Sequence, residues 1–175
     1  MTRPMDVLAQ SEQAAVIGAL VEGNSVRSIE RMTGIHLDTD MRLSARVGEG
    51  CARLLDARVR NVHAKRVQVD EIWTFVVVKQ ARLNGHHNHA EMGEQYVSVG
   101  MDSDSKPVIS HLVGKRDATT ANYFMQDLKE RLANRVQLTT DGFKPYIAAV
   151  EDAFGLDVDY AHLVKLYWSA KGKRG

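Results

Sequence analysis

Val67-Gln68-Val69-Asp70-Glu71-Ile72-Trp73-Thr74-Phe75 is the stretch on which the reading of this chain turns. Apolar and polar residues alternate through it, and valine, isoleucine and aromatics dominate the apolar set, which predicts a strand over residues 66–79. Strands normally keep their charges in the turns, so the carboxylate of Asp70 in mid-strand needs a reason. Glu71 follows it directly and must point to the opposite face. Trp73 and Phe75 share the face of Glu71 and are expected in the core, which puts Glu71 near a helix-covered edge as a surface or pairing residue.

A second carboxylate stands in the same kind of setting, at the end of Val136-Gln137-Leu138-Thr139-Thr140-Asp141-Gly142. Two strands that each bring an aspartate to one end of a sheet can build a site for a divalent cation, because hard oxygen donors suit such ions. A site of that kind points to chemistry on phosphate esters.

The elements around these two strands follow from period and punctuation. Residues 80–95 hold Asn84, Gly85, Asn88 and the histidines 86, 87 and 89, and read as an exposed hairpin tip. Strands are expected at Gln95–Met101 and Pro107–Val113, separated by the turn cluster Asp102-Ser103-Asp104-Ser105. A helix from Thr119 to about Leu132 carries Phe124, Leu128 and Leu132 on one face. After the strand 136–140 come a helix, Pro145–Phe154, closed by Gly155, and a fifth strand over 157–163. The fold class expected is mixed α/β (α+β), with a mixed five-stranded sheet.

The first third of the chain reads differently. Ser11 can cap a helix with Val16, Ile17, Leu20 and Val21 on its apolar face, and Gly23-Asn24 ends it. Ser25 caps a second helix carrying Val26, Ile29 and Met32, and Thr33-Gly34 turns the chain. Asp38 or Thr39 can cap a third helix running to about residue 57, with Val47, Cys51, Leu54 and Leu55 as its buried stripe. Helix, glycine turn and helix make a helix-turn-helix pattern, shared by small helical bundles generally. The stripe, continued backwards, passes through Ser44 and Asp40, and a buried unpaired aspartate is costly. Residues 60–66 read as a linker, so the domains expected are 1–62 and 63–175.

Composition narrows the class. The chain has 175 residues, 44% hydrophobic, enough for a real core and unlike a disordered or fibrous chain. No apolar run is long enough to span a bilayer, and the N-terminus lacks a signal-peptide pattern. Cys51 is alone, which excludes a disulfide framework within the chain and fits a reducing cytoplasm. Net charge is only +1, but it is unevenly spread. Residues 42–66 hold seven Arg/Lys against Glu49 and Asp56, residues 165–175 hold four against none, and residues 67–164 hold nine against fourteen acids. An acidic centre between basic ends suits a metal site that serves a polyanion.

Taken together, Val69-Asp70-Glu71-Ile72-Trp73, Gly114-Lys115-Arg116-Asp117-Ala118, Thr140-Asp141-Gly142 and Tyr146, preceded by Ser25-Val26-Arg27-Ser28-Ile29-Glu30-Arg31-Met32-Thr33-Gly34, resemble the DDE transposases of the insertion sequence 1 family. The resemblance covers nearly the whole chain. It implies a helix-turn-helix DNA-binding domain followed by a ribonuclease-H-like catalytic domain. It implies cleavage at transposon ends and strand transfer into target DNA, with Mg2+ or Mn2+ as cofactor. Asp70 matches the first catalytic, metal-binding carboxylate and Asp141 the second. Double-stranded DNA is the implied partner, with a homo-oligomer on DNA, no membrane, and a cytoplasmic, nucleoid-associated location. Arg27, His36, Thr39, Arg42, Arg46, Lys115 and Arg116 become the candidates for DNA contact. The family's third carboxylate, a glutamate on a later helix, has no clear counterpart before Gly175; Glu151 is nearest along the chain and reads as a solvated helix face. The resemblance therefore implies a C-terminally truncated member of impaired activity, and a DNA-binding competitor at transposon ends is the alternative.

Overall fold

The computed structural model describes residues 8–164. No helix among them is long and apolar enough to cross a membrane. The chain divides after Arg58 into two compact units.

The first unit is three helices, α1 (Gln10–Val21), α2 (Val26–Thr33) and α3 (Leu37–Arg58). Ser25 caps α2 by accepting the Ser28 N–H at 3.2 Å, and Gly34 ends it at φ 71°, a conformation glycine adopts without strain. Val16, Ile29, Ile35 and Leu43 form the small core.

Three expectations need correction here. Ala9, not Ser11, precedes α1, and the Glu12 carboxylate accepts the Ala9 N–H at 2.6 Å. At α3, His36 does the capping rather than Asp38 or Thr39: its carbonyl accepts the N–H groups of Thr39 and Asp40, and its Nδ1 that of Asp38. The apolar stripe of α3 is buried only near its start. Cys51 is exposed and Leu54 is 59% exposed, because the 22 residues of α3 outrun the 12 and 8 of its two partners. Asp40 is fully buried, as the backward stripe implied. Ser44 donates to the Asp40 carbonyl at 2.8 Å and lies 3.2 Å from Oδ1, while Oδ2 has no partner among the described residues.

The second unit holds β1 (Arg66–Val76), β2 (Gly93–Asp102), β3 (Val108–Gly114), α4 (Ala118–Arg131), β4 (Val136–Thr140), α5 (Pro145–Phe154) and β5 (Val158–His162). The five strands form one mixed sheet in the order β3-β2-β1-β4-β5. The β1–β2 and β2–β3 pairs are antiparallel, and β4 and β5 add in parallel. This is the mixed α/β architecture expected, with each strand within a few residues of its anticipated place.

Helices α4 and α5 cover one face. Val67, Val69, Val136 and Leu138 of the sheet pack there with Phe124, Met125, Leu128, Tyr146, Val150 and Phe154. Each large apolar side chain so buried contributes roughly 1.5–3 kcal/mol. Gly100, paired with Val69, lets α4 approach: a Cβ there would meet Leu128 Cδ1 at 3.0 Å. The other face carries Asp70, Ile72, Val97, Val99 and Val113, and Ile72 and Val113 on it are 62% and 59% exposed.

Residues 60–66 are not a free linker. Val62 exchanges backbone hydrogen bonds with Arg131 and Ala133, and Val59, Val62 and Ala64 pack into the core of the second unit. Trp73 and Phe75 are not core either, at 45% and 42% exposed. Beyond Gln68, β1 has lost β4, and beyond Trp73 its partner β2 has passed the end of β3, so β1 and β2 run on as a two-stranded ribbon. The two rings lie 5.8 Å apart there, and Lys79 lies 5.8 Å from the Trp73 ring. The hairpin tip beyond contains a 3-10 turn at Gln80–Arg82, and among the described residues its histidines bond within the loop: Asn84 accepts from the His86 N–H and contacts His89, and its N–H reaches His87.

Candidate metal centre

The parallel register of β1 and β4 pairs Arg66 with Gln137, Val67 with Leu138 and Gln68 with Thr139. Two residues further along the chain from Gln68 and Thr139 stand Asp70, still in β1, and Asp141, just past the end of β4. Both line one groove of about 180 Å³, with Gln68, Val69, Thr139, Thr140 and Leu163. Asp70 reaches it because strand alternation turns it away from the buried Val69. Asp141 reaches it because β4 ends at Thr140 and the chain turns toward α5.

Each carboxylate is oriented locally. Asp70 Oδ1 accepts the Glu71 N–H at 2.9 Å. Asp141 Oδ1 accepts the Phe143 N–H at 3.0 Å, and its Oδ2 accepts from Arg116 at 2.9 Å. Thr140 lies beneath, 2.8 Å from the Tyr160 hydroxyl. Burial pushes the Tyr160 hydroxyl above the usual phenol range, and the charge of Asp141 adds to this while the Thr140 contact opposes it.

Glu71 lies behind the groove, on the helix-covered face. Its side chain is 5% exposed and pairs with Arg116 at 3.3 Å. Arg116 therefore serves two carboxylates, and its guanidinium carbon lies 4.1 Å from the Phe143 ring centroid. Tyr146 closes the cluster from α5, packed edge-on against Phe143 at 5.3 Å, with its hydroxyl 3.4 Å from Ser98 Oγ. Burial holds that hydroxyl protonated, far above the usual phenol range; Glu71 and Asp141 reinforce this, while the bond to Ser98 works the other way.

The donor set fits part of a site for Mg2+ or Mn2+. Two hard carboxylates on an open groove leave coordination positions for water and phosphate oxygens. Among the described residues no group of three or more His, Cys, Asp or Glu side chains is arranged to hold a metal ion. Glu151 is exposed on α5. Asp102 takes the turn role instead, accepting from the Asp104 N–H at 3.1 Å and from Ser105.

The candidate DNA contacts fall into two groups. In the first unit, Thr39, Arg42 and Arg46 line one concavity of about 400 Å³ with Leu8, Leu43 and Ala45. Arg27 is exposed on α2 and His36 at the start of α3. In the second unit, Lys115 donates to the carbonyls of Met92 and Glu94 at 2.6 and 3.0 Å, and Arg116 is engaged as described. Glu71, expected as a surface or pairing residue, is a buried partner of Arg116, and Arg116, expected at DNA phosphate, pairs with Glu71 and Asp141; Phe143 carried no expectation. Glycine-bounded motifs mark where such residues sit, but not that three separate loops converge.

No family model matches the chain, and no curated protein matches it. Solved structures resemble the chain only at low identity and low TM-score. One is a piggyBac transposase synaptic complex with hairpin DNA, 12% identical, with a TM-score of 0.45, covering 98% of this chain and 45% of that one. A second is the Mos1 mariner paired-end complex with Mn, 14% identical, with a TM-score of 0.37, covering 91% of this chain and 60% of that one. A third is a Mos1 transposase paired-end complex with the left transposon end, 13% identical, with a TM-score of 0.36. The chain spans between 45% and 61% of the length of these proteins.

Proposed function

We propose that this protein is a transposase of the DDE type, of the insertion sequence 1 family, acting on double-stranded DNA. The observation that carries the reading is the lining of one groove by Asp70 and Asp141 from adjacent parallel strands. Asp70 and Asp141 would hold Mg2+ or Mn2+ on that groove. Held there, such an ion would supply Lewis acidity toward a water or a DNA 3′-hydroxyl.

The chain's own residues have separable tasks. Asp70 and Asp141 present oxygens whose orientation is set by the backbone N–H groups of Glu71 and Phe143. Thr140 and Tyr160 brace the end of β4, and Tyr146 with Phe143 keeps the inner side of Asp141 dry. The groove floor continues over Gln68 and Thr139 to a polar surface with Arg66, Ser103, Lys106 and Gln137, which suits a phosphate backbone. The first unit, ending at Arg58, supplies helix-turn-helix binding to transposon ends through Arg27, His36, Thr39, Arg42 and Arg46, and the complex on DNA is a homo-oligomer. The two carboxylates on the groove suffice for one ion.

A nicking assay on supercoiled plasmid with Mg2+ or Mn2+ tests the reading. Nicking by the wild type and none by Asp70→Ala or Asp141→Ala is the expected result. Nicking that survives both substitutions removes the site. A second reading rests on Thr39, Arg42 and Arg46 lining one concavity in a unit with its own core. It makes the chain a DNA-binding competitor at transposon ends, and metal-independent end binding without cleavage favours it.

A further inference from the structure

The guanidinium of Arg116 is the least expected neighbour of Asp141. One nitrogen, Nη2, lies 2.9 Å from Asp141 Oδ2 and 3.3 Å from Glu71 Oε2, and Nε lies 3.4 Å from the same glutamate oxygen. A single positive charge is thus shared by two carboxylates, one on each side of it. We propose that Arg116 is an internal counter-cation that competes with a divalent ion for Asp141, and that Glu71 is the seat to which it withdraws when the ion binds. This rests on Asp70 and Asp141 being the metal site.

Three observations support it. First, the two oxygens of Asp141 are held independently. Oδ1 is fixed by the Phe143 N–H, so releasing Oδ2 from Arg116 frees a ligand without loosening the side chain. Second, Glu71 has spare capacity. Its side chain is 95% buried, and Oε1 has no hydrogen-bond partner among the described residues. A guanidinium pairs best with a carboxylate through two parallel bonds, so a fuller Glu71–Arg116 pair would take up Oε1, with the neighbouring Tyr146 hydroxyl as the rival donor. Third, the guanidinium keeps its aromatic support during such a shift. It stacks on Phe143 at 4.1 Å and faces Tyr96 at 5.8 Å, contacts that a planar cation retains while sliding.

The energetics have a definite sign. Without metal, Arg116 neutralises Asp141 in a partly dry site, where the pair is 35% exposed on each side. A divalent ion on Asp141 repels the guanidinium and carries twice its charge. Binding therefore works against the Asp141 contact, and the strength of that contact subtracts from the ion's affinity. The price of the latch is weaker metal binding, and its effect is that Asp141 stays paired until an ion arrives.

The test is Mn2+ binding to the full chain, followed by electron paramagnetic resonance or calorimetry, with folding checked by circular dichroism. Arg116→Gln is expected to bind Mn2+ about tenfold tighter than the wild type, because the competing charge is gone. Arg116→Lys keeps a cation and stays within about threefold of the wild type, and Glu71→Gln, which leaves Arg116 only Asp141 to pair with, binds about tenfold more weakly. Unchanged or weaker binding by folded Arg116→Gln overturns the proposal. If that variant does not fold, Glu71→Gln decides, and unchanged or tighter binding overturns it. The double variant Asp70→Asn, Asp141→Asn separates the two levels. Wild-type binding that this double variant abolishes, with no gain in Arg116→Gln, removes the latch and leaves the metal site. No Mn2+ binding in either wild type or Arg116→Gln removes both.

Discussion

Asp70 and Asp141 follow the paired residues Gln68 and Thr139 by two positions each, on neighbouring strands that run the same way. The relationship depends on the parallel addition of β4 to β1. Had β4 paired antiparallel, its C-terminal end would lie at the far side of the sheet from Asp70. Alternation then turns both carboxylates out of the helix-covered core and onto one groove.

Metal binding should follow from that pairing. Asp70→Asn and Asp141→Asn should each weaken Mn2+ binding at least tenfold, with far-ultraviolet circular dichroism unchanged. Saturation with Mn2+ should raise the melting temperature of the wild type alone, since at about 100 times Kd a ligand adds roughly 2.7 kcal/mol of stability. An equal upward shift in the double variant would place the ion elsewhere.

Acid stability should depend on Asp127. Its carboxylate accepts from Ser110 at 2.5 Å and from Arg131 at 2.7 and 2.8 Å, and Arg131 also donates to the Val59 carbonyl at 3.2 Å. Burial by itself would raise the Asp127 pKa, but the bonds from Arg131 and Ser110 outweigh it and hold the carboxyl below its usual range. A depressed folded-state pKa means the stabilisation is present above the unfolded value of about 3.9 and is lost as pH falls through the folded value. Asp127→Asn should therefore melt lower than the wild type at pH 6, with the gap closing on acidification below about pH 4. A gap that stays constant down to pH 2.5, an assay point chosen at about 1.4 units below the unfolded value, would disprove the clamp's ionic character.

Asp40 should be replaceable at a gain. Its Oδ2 is buried without a partner among the described residues, and only Ser44 attends Oδ1. Asp40→Asn keeps the shape and the Ser44 contact while removing a buried charge, which should raise stability by about 1–2 kcal/mol. Urea midpoints at constant m-value measure this. A lower midpoint for the variant would show that the carboxylate stabilises the fold.

Lys106 should touch DNA backbone without reading sequence. It lies on the polar surface that continues the groove past Gln68 and Thr139. Lys106→Ala should weaken binding to any duplex alike and reduce the slope of log K against log salt by about 1. An unchanged slope would take Lys106 off the DNA path.

Much of this was legible in the residues. Alternation located β1 and its out-of-place Asp70, and the same pattern with glycine and proline punctuation located β4, α5 and Asp141. Ser25 and Gly34 bounded α2 because capping and left-handed turns are local chemistry. Errors arose where burial depends on what lies across the space. Trp73 and Phe75 have the pattern of core residues, but only the reach of β3 and β4 decides where the ribbon leaves the core. Cys51 and Leu54 continue a real stripe, but the partners of α3 end before they do.

By itself the sequence determined the order and kind of the elements, the faces of each strand, and the presence of two carboxylates where strands seldom carry them, since these depend on backbone period and steric preference within a few residues. Only the tertiary structure decided that β4 lies parallel beside β1, and so that Asp70 meets Asp141. It alone brought Arg116, Glu71, Phe143 and Tyr146 from separate elements to the back of the same groove. The reason is that charge pairing and metal geometry depend on distances between residues far apart in the chain, and those distances exist only once the sheet and its helices have packed.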